Sequence, residues 1–544
     1  MVPPLVDELS RQSSPEPSFR SALLQHRPVS PDGAWSQSQT YLSRLQFFEH
    51  PRKCPAASHR AAVAKDLGVG QAGERRVRVE ARPADVSIMP LQHTQQEGDG
   101  DMAHLGRHTI VIGASIGGLL AARALADHYD EVTVLERDTL PEAHEPRKGV
   151  PQGRHAHGLL ARGREVLEQL FPGLSEEMVA QGAVYGDVVD QVLWFNHGVY
   201  LLNSPSALLG LLISRPTLED GVRRRLLQLP NVRLVEHSDA LEPVFDGAAG
   251  RVTGVRVQLQ RDSDGAETMG ADLVVDASGR GSHSPAWLDA LGYAKPREEA
   301  VQVQIGYMTR LYRRRPEHLP GKQAIVMTAC RPGWRFGVIL AQEDERWIVT
   351  LGGYLGDRPP MEDAGYIEFA RSLPKPEIFE VIKDAEPLTP LTPYQFNANL
   401  RRHYEELSRF PEGLLVFGDA LCSFNPIYGQ GMTVACTEAL ALQECLASRP
   451  VGIARRFFQM ASKLIDIPWQ IAVGSDLENP AVAGKRTAQT RFVNWYLAKL
   501  FQAAQYDAVL ATRFLEVANL MKQPPSLMEP RIALRVWKGS RATA

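Results

Sequence analysis

Apolar residues in this chain follow two spacings, and the alternation between them predicts where strands give way to helices. Thr109–Ile112 is a short apolar run of strand length, Leu119–His128 has apolar residues at helical spacing, and Val132–Leu135 is a second short run. Two later apolar runs end at Asp276 and at Asp419. Buried runs that alternate with amphipathic helices predict a parallel sheet of the α/β class.

The middle of the chain has a strand-like alternation instead. Apolar and polar residues alternate at Val301–Leu311, Ala324–Thr328, Phe336–Leu340 and Trp347–Tyr354. This alternation predicts a mostly antiparallel sheet, inserted between segments of the α/β lobe. Residues 455–522 return to helical spacing, which predicts helices near the C-terminus.

The first hundred residues show neither the strand spacing nor the helix spacing of apolar residues. Proline recurs there with serine and glutamine between, and no apolar period persists beyond a few residues. Such a segment cannot bury enough apolar surface to offset the entropy lost on ordering. We therefore expect residues 1–101 to be a leader that is either disordered or absent from the native protein. In the second case the chain begins at Met102, seven residues before the first predicted strand.

Composition narrows the class of protein. The 544 residues carry 60 Lys and Arg against 63 Asp and Glu, so the net charge of −3 gives no reason to expect a nucleic-acid partner. No run of 18 apolar residues predicts a membrane-spanning helix. The cysteine spacing fits no metal site and predicts reduced thiols and a cytoplasmic location. The five cysteines are Cys54, Cys330, Cys422, Cys436 and Cys445.

A glycine turn between the first strand and the first helix predicts a dinucleotide site. The turn reads Gly113-Ala114-Ser115-Ile116-Gly117-Gly118. Residues without a Cβ let the backbone approach a pyrophosphate, and the following helix offers free N–H groups. Glu136 ends the second strand 23 residues after Gly113, where a carboxylate can accept hydrogen bonds from ribose hydroxyls. Ser115 replaces the middle glycine of the usual pattern and is small enough to keep the turn.

Two later motifs point to a flavin. Residues 272–282 read DLVVDASGRGS, and residues 414–432 read LLVFGDALCSFNPIYGQGM. Asp419, at a strand end, can accept hydrogen bonds from ribityl hydroxyls. Gly429-Gln430-Gly431-Met432 opens a helix, and the dipole at its N-terminus would stabilise the negative charge of a reduced flavin.

In this order the three motifs resemble those of class A FAD-dependent monooxygenases, the superfamily of aromatic hydroxylases and squalene epoxidases. Squalene epoxidases also place a methionine thirteen residues after the late aspartate, as Met432 follows Asp419 here. Flavoprotein epoxidases of bacterial polyether pathways are similar at RKGVPQGRHAH (147–157), DAEPLTP (384–390) and FNPIYG-x-GM (424–432).

The resemblance spans about residues 108–435 and implies a domain arrangement. It implies a Rossmann-type FAD-binding lobe of the hydroxylase-like (GR2) type at residues 102–300 and 385–450. A substrate lobe with an antiparallel sheet would occupy residues 301–384, with part of 183–214. Residues 451–544 would form a C-terminal helical region.

The resemblance also assigns roles to residues. It implies that Gly113, Ser115 and Gly118 hold the pyrophosphate and Glu136 the adenosine ribose. Arg147 matches an arginine of squalene epoxidases, and Arg215 would reach the flavin side. Asp419 would bind the ribityl chain and Met432 the isoalloxazine. The full set expected to bind FAD is Gly113, Ala114, Ser115, Gly117, Gly118, Glu136, Arg137, Arg147, Arg215, Asp419, Gly429, Gln430, Gly431 and Met432.

The reaction implied by the resemblance is monooxygenation. NAD(P)H would reduce the FAD, O2 would form a flavin C4a-hydroperoxide, and one oxygen would pass to a hydrophobic, polyketide- or terpenoid-like small molecule by epoxidation or hydroxylation. Aromatic hydroxylation, isoprenoid reduction of the geranylgeranyl-reductase type and non-catalytic flavin binding stay open as alternatives. The residues identify no catalytic acid or base, and they predict neither the oligomeric state nor the choice between NADH and NADPH.

Overall fold

The computed structural model describes residues 104–141, 145–259, 265–448 and 451–542, all within one unit, Gln96–Ala544. The predicted leader, residues 1–101, lies outside the described residues. The strands are β1 Gly106–Ile112, β2 Tyr129–Leu135, β3 Val184–Asp187, β4 Val192–Asn196, β5 Val199–Tyr200, β6 Leu209–Leu212, β7 Val232–Val235, β8 Ser238–Asp246, β9 Arg251–Leu259, β10 Glu267–Gly270, β11 Leu273–Asp276, β12 Arg297–Arg313, β13 Ala324–Met327, β14 Arg335–Gln342, β15 Arg346–Gly353, β16 Thr392–His403, β17 Leu414–Val416 and β18 Cys422–Ser423. The helices are α1 Ile116–Ala126, α2 Ala161–Leu170, α3 Leu174–Ala180, α4 Arg215–Leu226, α5 Ser284–Ala290, α6 Asp363–Arg371, α7 Glu377–Ile382, α8 Gly431–Ser448, α9 Ile453–Asp476, α10 Ala488–Ala504, α11 Ala508–Ala518 and α12 Pro530–Ala542.

A parallel sheet with the order β17-β11-β1-β2-β7 forms the first lobe. The predicted strand–turn–helix–strand unit is confirmed, although α1 begins at Ile116 and not at Leu119. Carboxyl ends of parallel strands meet at one edge of a sheet. The turn at Gly113, the end of β2 at Glu136 and the turn at Asp419 therefore lie along the same edge.

A larger sheet with the order β18-β16-β12-β15-β14-β13-β4-β5 forms the second lobe. Its pairs are antiparallel except for β13 with β4, so the expectation of a mostly antiparallel sheet is confirmed. The sheet extends beyond the predicted segment 301–384, because β16 and β18 come later in the chain. The predicted domain bounds themselves stay a prediction.

Each lobe has its own apolar core. Leu119 of α1, Leu442 of α8 and Phe457 of α9 are fully buried in the core of the parallel sheet. Trp347 and Tyr366 lie in the core of the large sheet. The helices α10, α11 and α12 form a further cluster, which confirms the predicted helical region near the C-terminus. Within the described ranges no helix is both long and apolar enough to cross a membrane.

A buried glutamate joins the large sheet to the start of α4. Glu343 lies in the turn between β14 and β15 and accepts hydrogen bonds from the Ser214 amide at 3.0 Å and the Thr217 hydroxyl at 3.0 Å. Its carboxylate also pairs with Arg346 at 2.9 Å. Because Ser214 caps α4, this contact fixes the helix that begins with Arg215.

Candidate active site

A cleft of about 480 Å³ lies at the carboxyl edge of the parallel sheet, and residues of both lobes line it. The large sheet contributes aromatic residues of β12 and β16. Of the residues expected to bind FAD, all except Ala114 and Gly118 line this cleft, namely Gly113, Ser115, Gly117, Glu136, Arg137, Arg147, Arg215, Asp419, Gly429, Gln430, Gly431 and Met432. Tertiary structure thus brings together residues that lie hundreds of positions apart.

The glycine turn after β1 depends on two close approaches. Gly113 has φ +100°, and a Cβ there would lie 2.8 Å from the carbonyl oxygen of Ala277. A Cβ on Gly118 would lie 1.7 Å from the carbonyl oxygen of Gly113. Gly118 therefore lets α1 pack on the turn and is not among the residues that line the cleft, and its predicted part in holding the pyrophosphate stays a prediction. Ala114 is buried, and its amide donates to Glu136 Oε2 at 2.9 Å.

Charged side chains form a buried cluster beside this turn. Arg147 Nη1 lies 2.8 Å from Glu136 Oε2, and its Nε donates to Glu219 Oε1 at 3.2 Å. Burial opposes the charge of Arg147, but Glu219 and Glu136 raise its pKa above the usual value. Sequence reasoning missed Glu219, because a glutamate within a basic helix is typical of a solvated surface.

Arg215 links the cluster to the glycine turn. Its Nη2 donates to the Ser115 hydroxyl at 2.9 Å, and that hydroxyl donates to Glu219 at 3.1 Å. Arg215 Nη1 lies 3.4 Å from His157 Nε2. Since arginine has only donors, His157 accepts at Nε2 and donates from Nδ1 to the carbonyl of His155 at 3.0 Å. Burial, with the charge of Arg215, lowers the pKa of His157 to about 3, so this ring is neutral.

The late motif presents a carboxylate and a helix N-terminus to the same cleft. Asp419 exposes its side chain to the cleft. Enclosure by protein raises its pKa, and Arg215 and Arg280 oppose this shift. Behind it, the Gly418 amide donates to Glu438 Oε2 at 2.8 Å. Burial raises the pKa of Glu438 to about 8, and the hydrogen bond from Gly418 opposes the shift.

Polar groups at the start of α8 fit a large polar ligand. Gln430 is only 2% exposed, and its Oε1 has no hydrogen-bond partner among the described residues. Gly429 has φ +65°, and the nearest atom to a Cβ on Gly431 would be Asp419 Oδ1 at 3.8 Å. The Asp419 carboxylate can accept hydrogen bonds from hydroxyls of FAD, and a helix N-terminus favours the negative charge of FAD. The unpaired Gln430 Oε1 can accept a hydrogen bond from the edge of the flavin ring. The role of each residue toward FAD stays a prediction.

The opposite wall of the cleft is aromatic. The rings of Tyr307 and Tyr394 lie 5.2 Å apart, and His155 contacts Tyr307 edge-on at 4.9 Å. Phe396 of β16 completes this wall, and Phe424 of the late motif also lines the cleft. Phe336 does not line the cleft, because it is buried in the aromatic cluster that also contains Tyr307 and Phe396.

The GRGS turn contributes a cation that sequence reasoning did not assign. Arg280 lies over the ring of Phe396, 5.1 Å from its centre, and donates to the Ser423 hydroxyl at 3.1 Å. It lines the cleft beside Asp419. Arg280 lies within the motif DLVVDASGRGS (272–282), which the sequence analysis had already singled out. Its place in that motif was the signal that could have identified it as a site residue.

Comparison with known proteins defines the class. No family model matches the chain. The chain is 23% identical to Squalene monooxygenase 1,1 of Brassica napus over 369 residues, covering 68% of this chain and 67% of that protein. It is 26% identical to Kynurenine 3-monooxygenase of Salinispora arenicola over 376 residues, covering 63% and 72%. The solved structure of flavin-dependent brominase Bmp2 has the same fold, with a TM-score of 0.55, 14% identity and coverage of 81% and 100%.

With this fold and cleft, the protein is an FAD-dependent oxidoreductase of the class A FAD-dependent monooxygenase superfamily. Within the superfamily it belongs to the family of Protein Rv3254 of Mycobacterium tuberculosis. The two are 35% identical over 426 residues, which cover 76% of this chain and 90% of that protein. The likeness to polyether-pathway epoxidases stays a prediction.

Proposed function

We propose that the protein uses NAD(P)H and O2 to epoxidise a hydrophobic, polyketide- or terpenoid-like small molecule, with FAD as its cofactor. The observation that carries this proposal is the composition of the single cleft described above. The glycine turn, Glu136 and Asp419 line this cleft, and so do the aromatic residues of the large sheet.

The residues divide the binding of FAD among three segments. The turn at Gly113–Ser115 and the start of α1 would take the pyrophosphate, Glu136 the adenosine ribose and Asp419 the ribityl chain. The start of α8 would meet the flavin ring, where its dipole favours negative charge. When bound, FAD supplies electron transfer from NAD(P)H and the activation of O2.

The aromatic wall favours a substrate without charge. Tyr307, Tyr394, Phe396 and Phe424 line the cleft, and aromatic linings favour apolar ligands and exclude water. Epoxidation of an electron-rich alkene requires that the site orient the alkene and exclude water, and it depends less on an acid or base. His157 is a weak base, because its pKa is lowered to about 3 and its Nε2 faces Arg215.

A specific observation favours aromatic hydroxylation as the second candidate. Burial raises the pKa of Tyr307 well above its usual value, and burial together with Asp419 raises that of Tyr394. Both phenols therefore stay protonated and can donate hydrogen bonds to an oxygen atom of a substrate. A phenolic substrate would use such donors, whereas a simple alkene would not.

Turnover with and without oxygen tests the proposal. The purified protein is loaded with FAD, and NADH and NADPH oxidation is followed with alkene and phenol panels under air, under nitrogen and with ¹⁸O2. Labelled epoxide supports the proposal, and labelled phenol product supports the second candidate. Alkene reduction under nitrogen would show an isoprenoid reductase. Bound FAD without turnover on any panel would show a flavin-binding protein, and failure to bind FAD would overturn the assignment of the cleft.

Removing the carboxylate of Asp419 tests its predicted part in binding. We expect Asp419→Ala to weaken FAD binding about tenfold, because a ribityl hydroxyl loses its charged acceptor. Glu412→Ala, an exposed site before β17, is the matched control. FAD affinity is measured by fluorescence titration of the apoprotein, and equal affinities for the two variants would remove Asp419 from the site.

We further propose that the protein works in the cytoplasm. Cys330, Cys422, Cys436 and Cys445 are free thiols in the described part of the chain. Reduced thiols fit a reducing compartment. Fractionation of the native host, followed by detection of the protein, tests this location.

A further inference from the structure

A buried carboxylate at the end of α9 meets the loop that precedes α8. Asp476 is 0% exposed. Its Oδ1 accepts hydrogen bonds from the hydroxyl of Tyr354 at 2.8 Å, the hydroxyl of Tyr428 at 2.9 Å and the amide of Asn425 at 2.8 Å. Its Oδ2 accepts one from the amide of Asn399 at 2.6 Å.

The orientation of both amides is fixed by backbone donors. The amide N–H of Asn425 donates to Asn399 Oδ1 at 2.6 Å, and that of Ile427 donates to Asn425 Oδ1 at 3.1 Å. A backbone N–H can only donate, so each of these oxygens is an acceptor and each side-chain NH2 points to Asp476. With two phenols as well, the carboxylate receives four donors, which is the pattern expected of its ionised form.

This placement is unfavourable for the helix itself. Asp476 is the last residue of α9, where the helix dipole disfavours negative charge. No lysine or arginine of the described ranges lies within ion-pair distance of it. A buried, unpaired charge is costly unless hydrogen bonds satisfy it. The four donors offset that cost. We therefore expect Asp476 to serve the segments that carry these donors and not the stability of α9.

The groups that Asp476 holds belong to the cleft and its surroundings. Asn425 lines the cleft, as do its neighbours Phe424 and Pro426 and the later Gly429. Tyr354 directly follows β15, and Asn399 lies on β16. One carboxylate therefore ties α9 and the large sheet to the loop that leads into the start of α8.

We propose that Asp476 is a positioning residue for the flavin, which rests on the proposed binding of FAD in this cleft. It fixes the Asn425–Gly429 loop at the end of the cleft where α8 begins. Through it, α9 is part of the flavin site and not only a cover over the parallel sheet. Its negative charge, held below the loop, also disfavours charge on a reduced flavin.

The test compares two aspartates of the same helix. Asp476→Asn replaces one acceptor oxygen by a donor that faces other donors, and it removes the charge. We expect FAD binding at least tenfold weaker, a shifted visible spectrum of the bound flavin and a more positive reduction potential. Asp466→Asn is the matched control, because Asp466 pairs with Arg401 at 2.6 Å and is 48% exposed. We expect its flavin affinity, spectrum and potential to equal those of the wild type.

A second variant guards against loss of folding. Tyr428→Phe removes one donor hydroxyl and keeps the ring, and we expect a threefold or greater loss of FAD affinity with a shifted spectrum. If Asp476→Asn and Tyr428→Phe both keep the wild-type affinity, spectrum and potential, the positioning role is overturned. If Asp476→Asn does not fold, the result for Tyr428→Phe alone decides. If the wild type itself binds no FAD, it is the proposed function that fails.

Discussion

At the scale of single residues, a series of hydrogen bonds fixes which ring nitrogen of His155 carries the proton. The Ala156 amide donates to the Thr350 hydroxyl at 3.2 Å, Thr350 lies 2.7 Å from the Thr309 hydroxyl, and Thr309 lies 2.8 Å from His155 Nδ1. In this series of hydrogen bonds, each hydroxyl proton has an acceptor only if Thr350 donates to Thr309 and Thr309 donates to His155. His155 is then the neutral Nε2–H tautomer, in accord with burial and Arg154 lowering its pKa to about 4.

This neutral histidine predicts a pH dependence of stability. The unfolded chain binds a proton near pH 6.5, whereas folded His155 binds one only near pH 4, so the folded state loses stability as the pH falls through this window. The expected contribution is about 1.4 kcal/mol of unfolding free energy lost between pH 7.5 and pH 5.5. Urea unfolding of the wild type and of His155→Gln at both pH values measures it. Equal pH dependence in both proteins would contradict the prediction.

Two adjacent glycines of the first turn should respond differently to alanine. A Cβ on Gly118 would meet the Gly113 carbonyl at 1.7 Å, whereas a Cβ on Gly117 would have only Phe417 within 4 Å, at 3.9 Å. We expect Gly118→Ala to lower the free energy of unfolding of the apoprotein by about 3 kcal/mol. Gly117→Ala, the matched control, should leave it nearly unchanged. Similar unfolding curves for both variants would show that the turn relaxes easily.

At the scale of elements, apolar runs predicted the strands well and helix starts less well. Helix α1 begins at Ile116, three residues before the predicted Leu119. Gly117 and Gly118 of its first turn were assigned to the glycine turn, because glycine weakens the helical pattern. The buried carboxylates Glu219, Glu438 and Asp476 on helices were missed, because nothing in the local sequence shows which polar groups surround a single buried acid.

The contact between the β14–β15 turn and α4 yields an element-scale prediction. Glu343→Gln leaves one acceptor oxygen for three donors, from Ser214, Thr217 and Arg346. We expect the free energy of unfolding to fall by about 1–3 kcal/mol. Asp344→Asn, on the same turn with a side chain 74% exposed, should change it by less than about 0.5 kcal/mol. Urea unfolding compares the two, and an equal loss would argue against the link.

At the scale of the whole molecule, the cleft exists because two sheets from interleaved segments face each other. The parallel sheet takes strands from residues 106–276 and again from 414–416, and β12 to β16 lie between these segments. Residues 1–101 lie outside the described residues, and the expectation that they are disordered or absent from the native protein stays a hypothesis.

A shortened chain tests that hypothesis. We expect a protein that begins at Met102 to bind FAD as tightly as the full chain and to unfold at the same temperature, because the described cores and cleft lie after this residue. Calorimetry and FAD titration of both proteins measure this. Mass spectrometry of the native protein shows which form exists, and peptides from before Met102 would exclude the later start.

The sequence by itself determined the strands, the glycine turn, the late helix start and the superfamily. These features are local, because short runs of residues fix backbone conformation and turn shape through sterics. Only the tertiary structure decided that Gly118 supports the turn, that Glu219 joins Arg147 to Ser115, and that Asp476 holds the loop before α8. Those assignments depend on which distant segments pack together, and burial changes the charge and hydrogen bonding of a side chain in ways that its neighbours in sequence do not reveal.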